Sequence, residues 1–171
     1  SSEFTAILKL LTYNYNLTPF IMQNLELQNN DDSILNFEQY QGSDYLLLIF
    51  FRGAWCNLCK RQLVEVNSLI NEFTSSNINP LAISPDTKFK SSLLKTFLRL
   101  KFPILSDTEF SVIDYFKLKT KFKDHITSKP AVILISPDHQ VIFEKIGKEY
   151  DDTMSGKNIL NNCQKIIKSN V

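Results

Sequence analysis

Glycine is scarce in this chain: four residues, at positions 42, 53, 147 and 156. A glycine-rich loop that cradles a phosphate cannot be assembled from them, which removes the nucleotide-binding classes that depend on one. Cysteine is scarcer still. Three cysteines in 171 residues are too few for a disulfide-stapled scaffold. The only histidines are His125 and His139, a thin supply for a metal centre that wants four ligands. Neither sign of charge dominates: 19 Lys and Arg against 18 Asp and Glu leave a net charge of +1. That balance argues against a nucleic-acid or anionic-membrane partner. No apolar run approaches the roughly 20 residues that span a bilayer. No basic-then-apolar leader is legible at the start, so the expected location is cytoplasmic.

What is present is the material of one folded domain. The length suits a single unit able to bury a real core, and 43% hydrophobic residues with 22% charged ones are ordinary proportions for such a unit. Phe4, Ile7, Leu8 and Leu11 recur at helical spacing, so residues 1–19 are expected to form a helical extension ahead of a domain spanning 20–171. Residues 20–41 read as a short, turn-rich section with Asn29-Asn30-Asp31-Asp32 as a turn. The run 45–51 is nearly all apolar and predicts a central strand buried on both faces. A helix is expected over 57–74, a short strand at 81–83, a second helix over 88–100 marked by Phe89, Leu93, Leu94 and Phe97, and a third over 108–118. Pro130 opens a strand at 131–136, Pro137-Asp138-His139-Gln140 turns it, 141–146 returns, and a last helix covers 156–168. Strands that alternate with helices and then close on a hairpin predict an α/β domain with right-handed crossovers and helices on both sides of one sheet.

The chemistry concentrates in Phe50-Phe51-Arg52-Gly53-Ala54-Trp55-Cys56-Asn57-Leu58-Cys59. Two thiols three residues apart, on a strand-to-helix turn, can close a small disulfide ring and reopen it. The N–H groups and dipole at the start of the helix favour a thiolate there. Arg52, Lys60 and Arg61 are cationic neighbours in sequence. The rival reading of the pair is half a zinc site, which would have to draw on Cys163, His125 and His139. A third reading is a permanent disulfide in a non-catalytic interaction module. Cys163 falls on the apolar stripe of the last helix and reads as a small core hydrophobe. His125, His139 and the basic stretch 117–123 read as solvated surface.

The motif resembles a known family. A strand, a Trp-Cys-x-x-Cys turn, a long helix and a later proline heading a hairpin resemble the thioredoxin fold. Phe-Phe-Arg-Gly-Ala-Trp-Cys-Asn-Leu-Cys is similar to the signature of the peroxiredoxin-like branch of the alkyl hydroperoxide reductase/thiol-specific antioxidant family. Asn57-Leu58 stands where that branch usually has Pro-Tyr. Leu81 to Asp86 resembles its strand ending in Ser-Pro-Asp, and Tyr150-Asp151 falls where it often pairs Asp with Tyr.

The resemblance implies a thioredoxin-like fold: a central mixed sheet flanked by helices, with a short N-terminal extension. It implies an oxidoreductase that needs no cofactor, because the electrons reside in the cysteine pair. The substrate would be a disulfide or a peroxide, with a thiol as reductant. It assigns Cys56 as the exposed attacking thiol and Cys59 as the more buried resolving one. Arg52 supports the thiolate. Trp55 shields one side, and Pro130, by position alone equally a trans proline that starts a strand, faces the pair across a cis peptide bond by the same resemblance. Two departures are visible. Thioredoxins carry a buried acid six residues before the first cysteine, where this chain has Phe50. Asp86 is a candidate substitute, with a turn or helix-cap residue as its plainer reading. The Pro-x-x-x-Thr-x-x-Cys pattern of typical peroxiredoxins, laid over this chain, puts the proline on Arg52, the threonine on Cys56 and the peroxide-attacking cysteine on Cys59. Their distant activating arginine falls near Pro130.

Overall fold

The structure, a computed structural model, describes residues 26–29 and 33–170. The expected leading helix lies outside them, as do the last three residues of the expected turn, 30–32. Seven strands form one mixed sheet in the order β2-β1-β5-β4-β3-β8-β9, with a separate two-stranded ribbon, β6-β7. The spine is β3 (Tyr45–Phe50), where side chains from Leu46 to Phe50 are completely buried. Alternate residues point to opposite faces. Leu47 and Ile49 therefore enter one core and Leu46, Leu48 and Phe50 the other. Each full burial contributes about 1.5–3 kcal/mol, so this one strand anchors both layers.

β3 pairs in parallel with β4 (Ile78–Ser84), and β4 in parallel with β5 (Ile104–Ser106). On the other side it pairs antiparallel with β8 (Ala131–Ile135), which continues into β9 (Val141–Ile146). β1 (Glu26–Asn29) and β2 (Ile34–Asn36) form an antiparallel hairpin on the far edge. Pro80 lies inside β4, which a proline can do only where no ladder bond is needed. β5 joins β4 no earlier than Ala82, so the missing N–H of Pro80 costs nothing.

Helices cover both faces, unequally. The short α1 (Phe37–Gln41) supplies Phe37 to the second core. The expected helix over 57–74 is two: α2 (Asn57–Ser68) and α3 (Ile70–Ser75), parted at Leu69. These, with α4 (Lys88–Leu98) and the late α6 (Gly156–Ser169), line the first core. On the second face α5 (Ser111–Tyr115) is a single turn and a half, shorter than the sequence suggested. Asp107, buried, ties down its start by accepting from the Ser111, Val112 and Ile113 N–H groups at 2.8–3.0 Å. α4 forms where its apolar spacing predicts, but of its four marking residues only Leu94 is buried; Phe89, Leu93 and Phe97 face outward.

The ribbon is the element that the sequence reading misses. β6 (Lys119–Phe122) and β7 (His125–Ser128) meet in full antiparallel register. The ribbon is anchored where Lys129 N donates to Leu118 O at 2.7 Å, next to the start of β8. Among the described residues no helix is long and apolar enough to cross a membrane.

Candidate active site

β3 hands over to a tight turn that delivers Cys56 as the N-cap of α2. Its backbone is extended, and its Sγ accepts from Cys59 N at 3.2 Å, the position a serine or aspartate oxygen commonly fills. Cys56 N closes the turn onto Gly53 O at 3.1 Å. Gly53 has φ 149°, and a Cβ there would stand 2.6 Å from Trp55 Nε1. Only glycine lets the indole fold back against this turn.

Cys56 and Cys59 are disulfide-bonded, with Cα atoms 5.2 Å apart. The expectation of an exposed Cys56 fails: it is 2% exposed and Cys59 is 1% exposed. The cover is Arg52. Its side chain is itself buried, at 6% exposure, and its Nη2 donates to Cys56 Sγ at 3.2 Å. The guanidinium lies 4.7 Å from the Trp55 ring centre, 4.5 Å from that of Phe122 and 5.5 Å from that of Tyr150. Burial lowers the Arg52 pKa from its ordinary value, with Tyr150 acting in the opposite direction. An arginine nevertheless stays charged at any physiological pH. A buried cation normally needs a carboxylate. Here the aromatic faces take that part, each such contact contributing about 0.5–2 kcal/mol. Two nitrogens are left over: among the described residues Nε and Nη1 have no hydrogen-bond partner. Of the three basic neighbours noted in the sequence, Arg61 turns instead to Glu65, at 3.3 Å.

Trp55 is half-exposed and stacks on Phe122 (5.4 Å, 17°) and on His125 (6.3 Å, 30°). Thr127 Oγ1 donates to the Arg52 carbonyl at 2.7 Å. Phe122, His125 and Thr127 all come from the ribbon, and Tyr150 from the loop after β9. Sequence reasoning left these four off the site. The usable signal was slight: the β-favouring Thr120, Phe122, Ile126 and Thr127 stand on either side of the two-residue turn Lys123-Asp124.

Pro130 lines a cavity beside Arg52, and its peptide bond does not have the expected form. Among the described residues no peptide bond is cis, so the Lys129–Pro130 bond is trans. Trans is the lower state, and the extended lead into β8 accommodates it, with Pro130 O accepting from Gly147 N at 2.8 Å. Gly147 is required here, since a Cβ would lie 2.7 Å from Pro130 Cγ. Phe50 fills the place of the buried acid and packs edge-on against Phe116 at 5.5 Å. Asp86 is not the cap of α4, which is Thr87. Asp86 Oδ2 instead accepts from Ala54 N at 2.7 Å, clamping the cysteine turn. Burial raises its pKa, partly offset by that N–H and by Lys90.

Cys163 is wholly buried on α6, and burial pushes its pKa up to about 12. Among the described residues no three His, Cys, Asp or Glu side chains gather to hold a metal ion, so the zinc reading finds no third ligand there.

The chain matches the AhpC/TSA family over residues 21–144. Two proteins of Mycobacterium tuberculosis, from strains CDC 1551 / Oshkosh and H37Rv, have names that class them with the peroxiredoxins. Each is 26% identical over 87 residues, which cover 51% of this chain and 55% of theirs. This chain thus matches about half the length of these curated relatives. Among solved structures, the peroxidoxin BcpB from Mycobacterium tuberculosis superposes with TM-score 0.74 at 18% identity, covering 85% of this chain and 92% of that one. A cysteine-to-serine mutant of PrxQ from Xylella fastidiosa gives 0.74 at 17%, covering 87% and 91%. At such identities the likeness speaks for the fold, which is thioredoxin-like.

Proposed function

The chain belongs to the AhpC/TSA family, and on that premise we propose that it is a thiol–disulfide oxidoreductase whose reacting atoms are the sulfurs of Cys56 and Cys59. One observation carries this reading. The disulfide sits at the start of α2 with Arg52 Nη2 and Cys59 N both directed at Cys56 Sγ. Both donors, and the helix dipole, stabilise negative charge on that sulfur, so in the reduced protein it is the better thiolate nucleophile.

In the reducing direction the Cys56 thiolate attacks one sulfur of a substrate disulfide, whose S–S bond breaks and releases the first thiolate. Cys59, deprotonated, then attacks Cys56 Sγ in the mixed disulfide. The Cys56–Cys59 bond forms and the second substrate thiolate leaves. Two electrons pass from the protein dithiol to the substrate, and two protons end on the released thiols. Trp55 and Pro130 flank the approach. Cys56→Ser removes the attacking atom; unimpaired disulfide reduction by that variant would refute the role of Cys56.

A second reading is favoured by the burial of both sulfurs, which suits a small oxidant, and by the family. A peroxide oxygen is transferred to the thiolate, giving a sulfenate and an alcohol or water. Whichever of Cys56 and Cys59 takes the oxygen, the other then displaces it as water and forms the same disulfide. Stopped-flow mixing of the reduced protein with hydrogen peroxide separates the two readings. Rapid, saturable oxidation supports the peroxidase. Sluggish oxidation beside fast reduction of insulin disulfides supports the oxidoreductase.

A further inference from the structure

Against Arg52, the residue that touches Cys56 Sγ, lies a cavity of about 260 Å³. Its walls include Arg52, Lys121, Lys129 and Lys148, with the rings of Phe122 and Tyr150; Glu149 is the single acid among them. Four cations against one carboxylate stand out on a chain whose net charge is only +1. The buried Arg52 also contributes two nitrogens, Nε and Nη1, that lack acceptors among the described residues. Left unmatched, such donors cost free energy, and an entering oxyanion would remove the deficit.

We propose that Arg52, Lys121, Lys129 and Lys148 form a carboxylate subsite, and that the reductant of the Cys56–Cys59 disulfide is a small thiol bearing a carboxylate. This inference rests on the cysteine pair being redox-active. The same guanidinium holds Cys56 Sγ through Nη2 and lines the cavity, so that a small turn of the side chain presents its buried Nε and Nη1 to the ligand. The volume fits a small molecule and not a folded partner, and the buried sulfurs favour a slim nucleophile. The thiolate attacks Cys56 Sγ, the Cys56–Cys59 bond breaks, and Cys59 leaves as thiolate. A second molecule of the thiol attacks the mixed disulfide, releasing the oxidised thiol dimer and the Cys56 thiolate. Two small thiols lose one electron each, and the protein pair gains two.

The test is the rate of disulfide reduction by mercaptoacetate against neutral mercaptoethanol, read by Trp55 fluorescence and by released protein thiol, with rates expressed per thiolate to remove basicity differences. The expected result is about a tenfold advantage for mercaptoacetate, saturating with concentration and shrinking as salt rises. In a Lys121→Gln/Lys148→Gln variant the ratio of the two rates should fall severalfold, and S-methyl mercaptoacetate, which has no thiol, should compete with mercaptoacetate. Equal rates for the two thiols, or a ratio untouched by the double substitution, overturn the subsite while leaving the redox pair intact. Failure of both thiols to open the disulfide overturns the redox pair and this inference with it.

Discussion

The start of α2 and the middle of α6 both hold cysteine away from solvent, yet they are chemically unlike. Cys56, Cys59 and Cys163 are 2%, 1% and 0% exposed, so burial does not separate them. Their neighbours do. At α2 one sulfur receives an arginine N–H and a backbone N–H at the positive end of a helix, with a second sulfur bonded to it. In α6 the thiol packs among Leu63, Val66, Ile159 and other apolar side chains of the first core, and burial alone governs its titration. On the proposed reading, the donors that meet a sulfur, not its exposure, set its reactivity.

The largest effect that would sharpen this contrast is Cys56→Ser, expected to lower turnover by at least about three orders of magnitude while Cys163→Ala keeps it. Steady-state reduction of a disulfide substrate measures both; an active Cys56→Ser or a dead, folded Cys163→Ala would break the comparison. Next comes Arg52→Met. Losing the cation should raise the pKa of the reduced Cys56 by about one to two units, read as the pH dependence of alkylation. An unchanged profile would mean that the helix terminus suffices. Cys163 in the native protein should resist iodoacetamide at neutral pH and react once denatured, as mass spectrometry of the reduced, alkylated chain would report.

The smallest effect concerns Asp86. Its carboxyl binds a proton more tightly in the folded chain than in the unfolded one. Its favourable contribution is therefore full at low pH and is lost as the pH rises from the ordinary carboxylate range through the raised value. Asp86→Asn keeps an acceptor for Ala54 N–H without the buried charge. It should flatten this decline and leave stability at neutral pH equal or higher. Urea denaturation across that pH range checks the sign.

The contrast also explains what could be read from residues alone. β3, β8, β9 and α6 announce themselves because strong apolar patterns answer to a core that each must fill. The cysteine pair announces itself by spacing and by its place after β3. The ribbon does not: Lys119, Lys121, His125 and Ile126 are exposed, and no apolar stripe marks it. It nevertheless brings Phe122, His125 and Thr127 to the site. The cage around Arg52 joins residues almost a hundred positions apart, a closeness that only the sheet order creates. The trans bond at Pro130 and the cover over Cys56 were misjudged because the resemblance transferred a whole constellation, whereas this chain places a buried arginine against the sulfur.

The Thr127–Arg52 hydrogen bond couples the ribbon to the loop beside the sulfurs, while the ribbon itself remains apart from the seven-stranded sheet. Alterations along β6 and β7 can therefore re-tailor the entrance with the load-carrying framework left whole. For an engineer testing the proposed redox site, that is the stretch to randomise.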